Sequence, residues 1–129
     1  MGAAVKIGVI GAIVLIAGGA ASGAHGHAHL SANEAAGRRL AASRGWTGAQ
    51  WTCLDELWIR ESGWDQYAQN PDSTAYGIPQ FLDSTWGLDG TGPKTSDPVA
   101  QISDGLDFIA ARYGTPCGAW AHEESAGWY

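Results

Sequence analysis

Apolar residues recur at helical spacing through the segment WTCLDELWIRES, which begins at residue 51. Residues three, four and seven apart share one face of an α-helix, because successive residues turn by about 100° around its axis. Four large side chains of this segment fall on one such arc: Trp51, Leu54, Leu57 and Trp58. Thr47 and Gln50 form a capping box ahead of the segment and Gly63 follows it, so we predict a helix over residues 48–62.

One charged residue, Glu61, falls inside the apolar arc, three positions after Trp58. The other charged residues of the segment fall outside it: Asp55, Glu56 and Arg60. Such a carboxylate is either a helix-end group that reaches water or a buried acid kept for chemistry. Burial against an aromatic ring raises the pKa of a carboxyl group and favours the protonated form that a general acid needs. Helical periodicity alone leaves both interpretations open.

Local signals also predict the segments around this helix. Ser31 and Glu34 form a second capping box, and Gly45 suits a C-terminal cap, so a helix is expected over residues 32–44. Turn residues make residues 65–77 a loop or short hairpin and residues 88–96 an exposed loop. Residues 79–86 are expected to form a short helix with three inward side chains: Phe81, Leu82 and Trp86.

Two helices are predicted in the C-terminal third. Asp97 and Pro98 suit the N-cap and first position of a helix that ends before Gly114. Most of its apolar face should be core: Val99, Ile102, Leu106, Ile109 and Tyr113. Thr115 and Pro116 begin a shorter helix, which carries Cys117, Trp120 and His122. Strand-like alternation is weak, so the fold class expected is mainly α.

The first 24 residues are typical of an export signal. Lys6 supplies a positive start, residues 7–17 are an apolar run, and small residues lead to Ser22 or Ala24 as cleavage positions. An uncleaved N-terminal membrane anchor is the alternative. In both cases we expect the rest of the chain to lie outside the cell. It would be secreted to the cell wall or held at the outer face of the cytoplasmic membrane.

Three alternating histidines open the next segment, residues 25–45, which we interpret as an arm followed by the first helix: His25, His27 and His29. Alternating imidazoles can bind Zn²⁺ or Ni²⁺. Nothing nearby in the sequence completes a coordination sphere. We therefore expect a polar arm, with no metal and no cofactor.

Composition narrows the classes of function. The chain has 129 residues, 45% of them hydrophobic and seven of them Trp, which suits one small domain with an aromatic core or cleft. Without Lys6 of the leader, six basic residues stand against 13 acidic ones, a net charge of −7. Such a domain is a poor partner for nucleic acid or anionic lipid. We expect a monomer that touches the membrane only through its N-terminal segment if this stays uncleaved.

Cys53 and Cys117 are the only two cysteines. An exported chain meets an oxidising environment, so we predict that they form a disulfide that ties the Glu61 helix to the last helix. A nucleophilic cysteine is the competing interpretation, but only His122 follows as a base in the sequence.

Several short segments resemble one enzyme family. Glu61-Ser62 at a predicted helix end, followed by AYGIPQ from residue 75, is similar to the soluble lytic transglycosylase (SLT) domain of the lysozyme-like superfamily. The segments RESGW, RYGTPCGAWAH and GWY resemble its actinobacterial members. The resemblance covers residues 46–129. It implies an α+β lysozyme-like domain in which a catalytic helix and a short loop or hairpin line a glycan cleft.

The resemblance also implies roles for individual residues. Glu61 would be the catalytic acid and base, and Ser62 would steady the helix end or the carboxylate. Gln80 and the backbone of Tyr76 and Gly77 would line the sugar cleft.

Two positions depart from the family pattern. Pro79 replaces the usual Met, which removes a flexible side chain and a backbone donor. Trp120 stands where the family has a late tyrosine, and an indole cannot repeat the hydrogen bond of a phenol to the glutamate. Tyr113 is the substitute we expect for that hydroxyl.

The reaction implied is cleavage of peptidoglycan glycan strands with a 1,6-anhydro-muramoyl product and one carboxyl group acting twice. Hydrolysis by a lysozyme-like muramidase is the alternative, and it normally needs a second carboxylate. The sequence candidates are Asp65, Asp72 and Asp83, which we interpret as turn or capping residues. Two alternatives lie outside the enzyme class: a peptidoglycan-binding module without catalysis and a structural secreted protein.

Overall fold

A computed structural model describes residues 23–129, with residues 23–27 described by their backbone only. The leader up to residue 22, including the cleavage position at Ser22, lies outside the described residues, as do the side chains of His25 and His27. Four α-helices make up most of the described chain: α1 Gly23–Ala42, α2 Ala49–Ser62, α3 Pro98–Arg112 and α4 Pro116–Ala126. The prediction of a mainly α-helical domain is confirmed. No helix in this part of the chain has the length and hydropathy needed to cross a bilayer.

Helix α1 begins at Gly23 rather than near residue 32, so the predicted capping box at Ser31 is wrong. The prediction of a non-helical arm is also wrong, because residues 25–29 continue the same helix. The added part of the helix contacts the loop after α2, since His29 Nε2 lies 3.5 Å from Asp65 Oδ1. The buried Asn33 side chain donates to the Trp64 carbonyl at 2.8 Å and to Gln66 Oε1 at 2.7 Å, so this half of α1 packs on the loop after α2.

Helix α2 has nearly the predicted bounds but a different start. Its N-cap is Gly48, which has no side chain to cap it, and the box of Thr47 and Gln50 does not form. Gln50 Oε1 instead accepts a hydrogen bond from the Cys117 backbone N–H at 2.9 Å, in α4. The predicted stop is confirmed, since Gly63 adopts φ 62° and its N–H closes the helix on the last carbonyls.

The starts of α3 and α4 are confirmed. The Asp97 carboxylate accepts from the Ala100 N–H, and the Thr115 hydroxyl accepts from the Gly118 N–H. Ile102, Leu106 and Ile109 are buried in the core, as expected from their spacing. The sequence predicts Val99 on the same buried face, but Val99 is 50% exposed, because the first turn of α3 extends beyond the core.

Residues 79–86 do not form the expected short helix. Antiparallel bridges join Gln69 to Tyr76 and Tyr76 to Phe81, which gives a tight hairpin-like loop. A 3-10 turn comes later, at Trp86–Leu88. Gly77 at φ 80° and Gln80 at φ 54° put the backbone in the left-handed region, which a right-handed helix does not allow. Phe81 and Trp86 are nevertheless buried, as predicted, whereas Leu82 is half-buried.

Candidate functional site

Glu61 lies in the last turn of α2 and its side chain is fully buried. The interpretation as a helix-end group that reaches water is therefore wrong. Trp58, one turn earlier on the same face, is also fully buried.

The phenol of Tyr129 is close enough to this carboxyl group for the charge of Glu61 to raise the pKa of Tyr129. Its hydroxyl accepts a hydrogen bond from Trp58 Nε1 at 2.8 Å and donates one to the Pro79 carbonyl at 2.9 Å. Burial, and then the charge of Glu61, hold the pKa of Tyr129 well above its usual value. The phenol therefore stays neutral near neutral pH and presents a hydroxyl dipole close to the acid. Sequence reasoning missed this residue, whose signal was only the final GWY segment.

Ser62 connects the end of α2 to the loop that follows it. Its hydroxyl donates to the Ile78 carbonyl at 2.8 Å and accepts from the Trp64 N–H at 3.2 Å. Ser62 was predicted to steady the helix end or the carboxylate, and these two hydrogen bonds are the contacts it makes with the loop. The segment GIPQ is thereby held against the turn that carries Glu61.

Gln80 is fully buried within that segment, a position from which it shapes the loop. Its Nε2 donates to the Ala68 carbonyl at 2.9 Å and to the Gly77 carbonyl at 3.0 Å. Its Oε1 accepts no hydrogen bond within the described part of the chain. The amide oxygen is therefore the polar atom of the Gln80 side chain that has no hydrogen-bond partner among the described residues.

Gln101, on α3, is a second buried amide that sequence reasoning missed. Its Oε1 accepts from the Ile78 N–H at 2.8 Å, and its Nε2 donates to the carbonyls of Thr95 and Gln66 at 2.7 and 3.1 Å. Gly77 lies so close to this amide that a Cβ there would come within 2.5 Å of it. The only signal was its position four residues before Gly105 and seven before the buried Phe108.

Tyr76 is half-buried and packs against the hydrophobic core. Its hydroxyl hydrogen-bonds to Ser96, and the Lys94 ammonium lies 5.0 Å from the centre of its ring. Tyr76 therefore joins this loop to the segment that precedes α3.

A second fully buried carboxylate, Glu123 of α4, belongs to the same neighbourhood. Its charge contributes to the raised pKa of Tyr129 and also to that of Tyr113, where burial is the largest cause. Arg60 Nε lies 3.5 Å from its Oε2, but neither oxygen accepts a hydrogen bond from the described residues. Its spacing of four and seven residues from the buried Ala119 and Pro116 was the signal that sequence reasoning overlooked.

Trp120 and Tyr113, predicted from the family pattern, lie around this second carboxylate. Trp120 is half-buried, with the Arg60 guanidinium 5.8 Å from its ring centre. The Tyr113 ring contacts Tyr129 at 6.2 Å and His122 at 5.3 Å. The Tyr113 hydroxyl makes no hydrogen bond within the described residues, and the phenol whose pKa Glu61 raises most clearly is that of Tyr129.

The disulfide prediction is confirmed. Cys53 of α2 and Cys117 of α4 are bonded, across 64 residues of sequence. A nucleophilic cysteine is therefore excluded for these residues. The disulfide fixes α4, and with it Glu123, against the helix that carries Glu61.

The three aspartates considered as second carboxylates do not join the site. Asp65 accepts from the Tyr67 N–H at 2.9 Å and lies 3.5 Å from His29 Nε2. Asp72 and Asp83 are exposed, and Asp83 lies 3.6 Å from the Lys94 ammonium. Their interpretation as turn and capping residues agrees with these positions.

Comparisons with protein-family models, with curated proteins and with solved structures found no match for this chain. Across residues 28–129, no three His, Cys, Asp or Glu side chains come together in a group that could hold a metal ion. The functional assignment therefore depends on the chemistry of Glu61 and its neighbours.

Proposed function

We propose that this protein is a peptidoglycan lytic transglycosylase with a lysozyme-like domain over residues 46–129 and Glu61 as its single acid and base. The observation that carries the proposal is the fully buried carboxyl group at the end of α2, next to the neutral phenol of Tyr129. The resemblance of the Glu61-Ser62 pair and the GIPQ segment to SLT domains supplies the substrate class. Ser62 supports it by joining these two segments directly.

In the first step, protonated Glu61 donates its proton to the oxygen that links N-acetylmuramic acid to N-acetylglucosamine. The bond from that oxygen to the muramoyl C1 breaks as the acetamido oxygen of the same sugar bonds to C1, giving a cationic oxazolinium ring. General acid catalysis of this kind contributes about 10²–10⁴-fold in rate. The neutral hydroxyl of Tyr129 adds a dipole but no competing charge beside the acid.

In the second step, the ionised Glu61 takes the proton of the muramoyl C6 hydroxyl. The C6 oxygen bonds to C1 and displaces the acetamido oxygen, which closes the 1,6-anhydro ring and neutralises the cation. Glu61 ends protonated, so the cycle balances without water. Because the nucleophile belongs to the substrate, no second protein carboxylate is required.

A polymeric substrate reaches the buried carboxyl only if neighbouring side chains part. The hydrogen bond from Tyr129 to the Pro79 carbonyl is one of the buried contacts that would have to open. We propose that glycan binding at the loop surface opens this contact. The closed state then keeps water away from the acid before the glycan arrives.

Hydrolysis is the second candidate, because Glu123 provides the buried second carboxylate that the aspartates do not. A muramidase would use it as a nucleophile or as the base for water, at about 5–5.5 Å or 6.5–9.5 Å from the acid. Arg60 Nε lies 3.5 Å from its Oε2, so a guanidinium is at hand to position this carboxyl group in either role.

Mass spectrometry of muropeptides released from purified peptidoglycan decides between the two reactions. The transglycosylase proposal expects products with an anhydro-muramoyl end, lighter by one water than hydrolysis products. Glu123→Gln should leave the product mass unchanged. Products that are all one water heavier, and a Glu123→Gln variant with no activity, would establish hydrolysis instead.

The leader and the disulfide support placement outside the cytoplasm, where thiols are oxidised. The proposed partners are the glycan strands of the wall, met by a monomer. An uncleaved leader would hold the same domain at the outer face of the cytoplasmic membrane.

A further inference from the structure

A cavity of about 370 Å³ opens between α1 and α2, away from Glu61. Asp55, in its wall, precedes Glu61 by six residues, which places the two side chains on different faces of α2. The cavity is lined by Ser31, Glu34, Ala35, Arg38, Trp51 and Asp55. None of these residues takes part in the chemistry proposed for Glu61.

Two carboxyl groups meet on one side of the cavity. Glu34 shares a hydrogen bond with Asp55, and this bond, together with burial and repulsion by Asp55, raises the pKa of Glu34 to about 6, against a smaller lowering by Arg38. Asp55 is held in place from behind, because Trp64 Nε1 donates to its Oδ1 at 2.8 Å. The two carboxyl groups therefore form an anionic site, and a bound cation or proton would neutralise part of its charge.

An aromatic ring and a guanidinium form the other side. The Arg38 guanidinium lies 5.8 Å from the ring centre of Trp51. Trp51 itself is half-buried and backed by Trp64, with 5.8 Å between ring centres. From one side to the other, the cavity offers paired carboxyls, an apolar ring and a fixed positive charge.

We propose that this cavity binds the zwitterionic end of an amino acid, with its ammonium group on Glu34 and Asp55 and its carboxylate on Arg38. The methylene groups of the ligand would pack on Trp51. A divalent cation would be repelled by the guanidinium, and a neutral sugar would leave all three charges uncompensated. The volume suits an amino acid or the end of a short peptide.

Two sources could supply a ligand with this chemistry: a free amino acid, and the peptide attached to a glycan strand of the cell wall. The second source rests on the proposed function, since peptidoglycan peptides end in amino-acid groups. The cavity would then bind the peptide of the peptidoglycan while Glu61 acts on the glycan strand.

The test is titration of the full chain, without its leader, with 2,6-diaminopimelic acid, followed by the NMR signal of the Trp51 indole. Cadaverine and pimelic acid are matched probes, because cadaverine is diaminopimelic acid without its carboxyl groups and pimelic acid is the same molecule without its amino groups. We expect diaminopimelic acid to bind at least tenfold more tightly than either. Equal binding of cadaverine, tighter binding of an N-acetylglucosamine tetramer, or no binding up to about 10 mM would overturn the proposal.

Variants provide the second arm. Arg38→Gln should weaken binding at least tenfold, while Arg39→Gln, at the next and exposed position on α1, should not change it. Binding should also weaken about tenfold between pH 7 and pH 5, because the proton on Glu34 competes with the ammonium group. The charged groups that line the cavity and set this dependence are Glu34, Asp55 and Arg38. An unchanged affinity in Arg38→Gln would contradict the assignment.

The source is identified by comparing free diaminopimelic acid with a muropeptide and with peptide-free glycan strands. A muropeptide that binds more tightly identifies the wall peptide, and one that binds more weakly identifies the free amino acid. Glu61→Gln should bind all three as the wild type does. Failure of the proposed enzyme activity would therefore leave this result unaffected.

Discussion

Trp58 Nε1 donates a 2.8 Å hydrogen bond to the Tyr129 hydroxyl, across 71 residues of sequence. The same hydroxyl donates to the Pro79 carbonyl at 2.9 Å, so one phenol joins the end of α2 to the GIPQ segment. All three partners are buried. The wall around Glu61 is therefore built from segments that are far apart in sequence, joined at a single oxygen atom.

Tyr129→Phe should lower the free energy of unfolding by about 1–3 kcal/mol, because a buried N–H and a buried carbonyl lose their partner. Urea unfolding followed by Trp fluorescence measures this loss. Tyr67→Phe is the matched control, since Tyr67 is 59% exposed and should change stability little. Equal midpoints for both variants would show that the Trp58–Tyr129–Pro79 connection adds no stability.

Alkaline pH should weaken the fold through the same residue. The pKa of Tyr129 is raised in the folded state, by burial first and by Glu61 second. An unfolded tyrosine ionises near pH 10, so this contribution is complete below that pH and is lost as pH rises toward the folded pKa. Urea midpoints between pH 8 and 11 measure the loss. Tyr129→Phe should show a shallower decline, and an identical decline would locate the effect elsewhere.

The parts of the fold that were predictable are those governed by neighbours in sequence. Asp97-Pro98 and Thr115-Pro116 cap their helices as expected, because their partners lie within three residues. The box at Ser31 does not form because the helix already begins at Gly23, and His29 in this added part lies 3.5 Å from Asp65 in the loop after α2. Gln50 fails as a cap because α4 takes its side chain.

The residues of the candidate site differ in the same way: some could be predicted from sequence neighbours and others could not. Glu61 could be found from helical phase, and Ser62 from its place beside it. Tyr129 could not be placed, since its contact with Trp58 depends on the whole fold. Glu123 was missed because α4 has only 11 residues, too few for an apolar face to stand out.

Gly105→Ala should disturb the site around Glu61, although Gly105 is not one of the candidate site residues. A Cβ at this position would lie 2.5 Å from Trp58 Cζ2, so the indole must shift and its bond to Tyr129 must lengthen. Crowding of this kind costs about 1–3 kcal/mol of stability. Thermal unfolding and wall-lysis assays should show both losses. Ser103→Ala, two residues earlier on α3, should show neither, and a Gly105→Ala variant with wild-type activity would mean that the position of Trp58 is unimportant.

Removal of the disulfide should cost about 4 kcal/mol, by the chain-entropy estimate for a loop closed across 64 residues. Cys53→Ala with Cys117→Ala should lower the urea midpoint accordingly. Reductant should bring the wild type close to the double variant and should leave the double variant unchanged. A wild type indifferent to reductant would mean that the bond does not limit unfolding.

Glu61→Gln separates an enzyme from a binding module. The amide has almost the same shape as the carboxylic acid but cannot transfer a proton, so we expect lysis of cell walls to fall by at least about 10²-fold. Sedimentation with insoluble peptidoglycan should show unchanged binding, and thermal unfolding should show a folded protein. Glu56→Gln, on the exposed side of α2, is the matched control and should keep full activity. Wild-type lysis by Glu61→Gln would assign the acid to another residue, and a wild-type protein that binds walls without releasing muropeptides would establish the binding module.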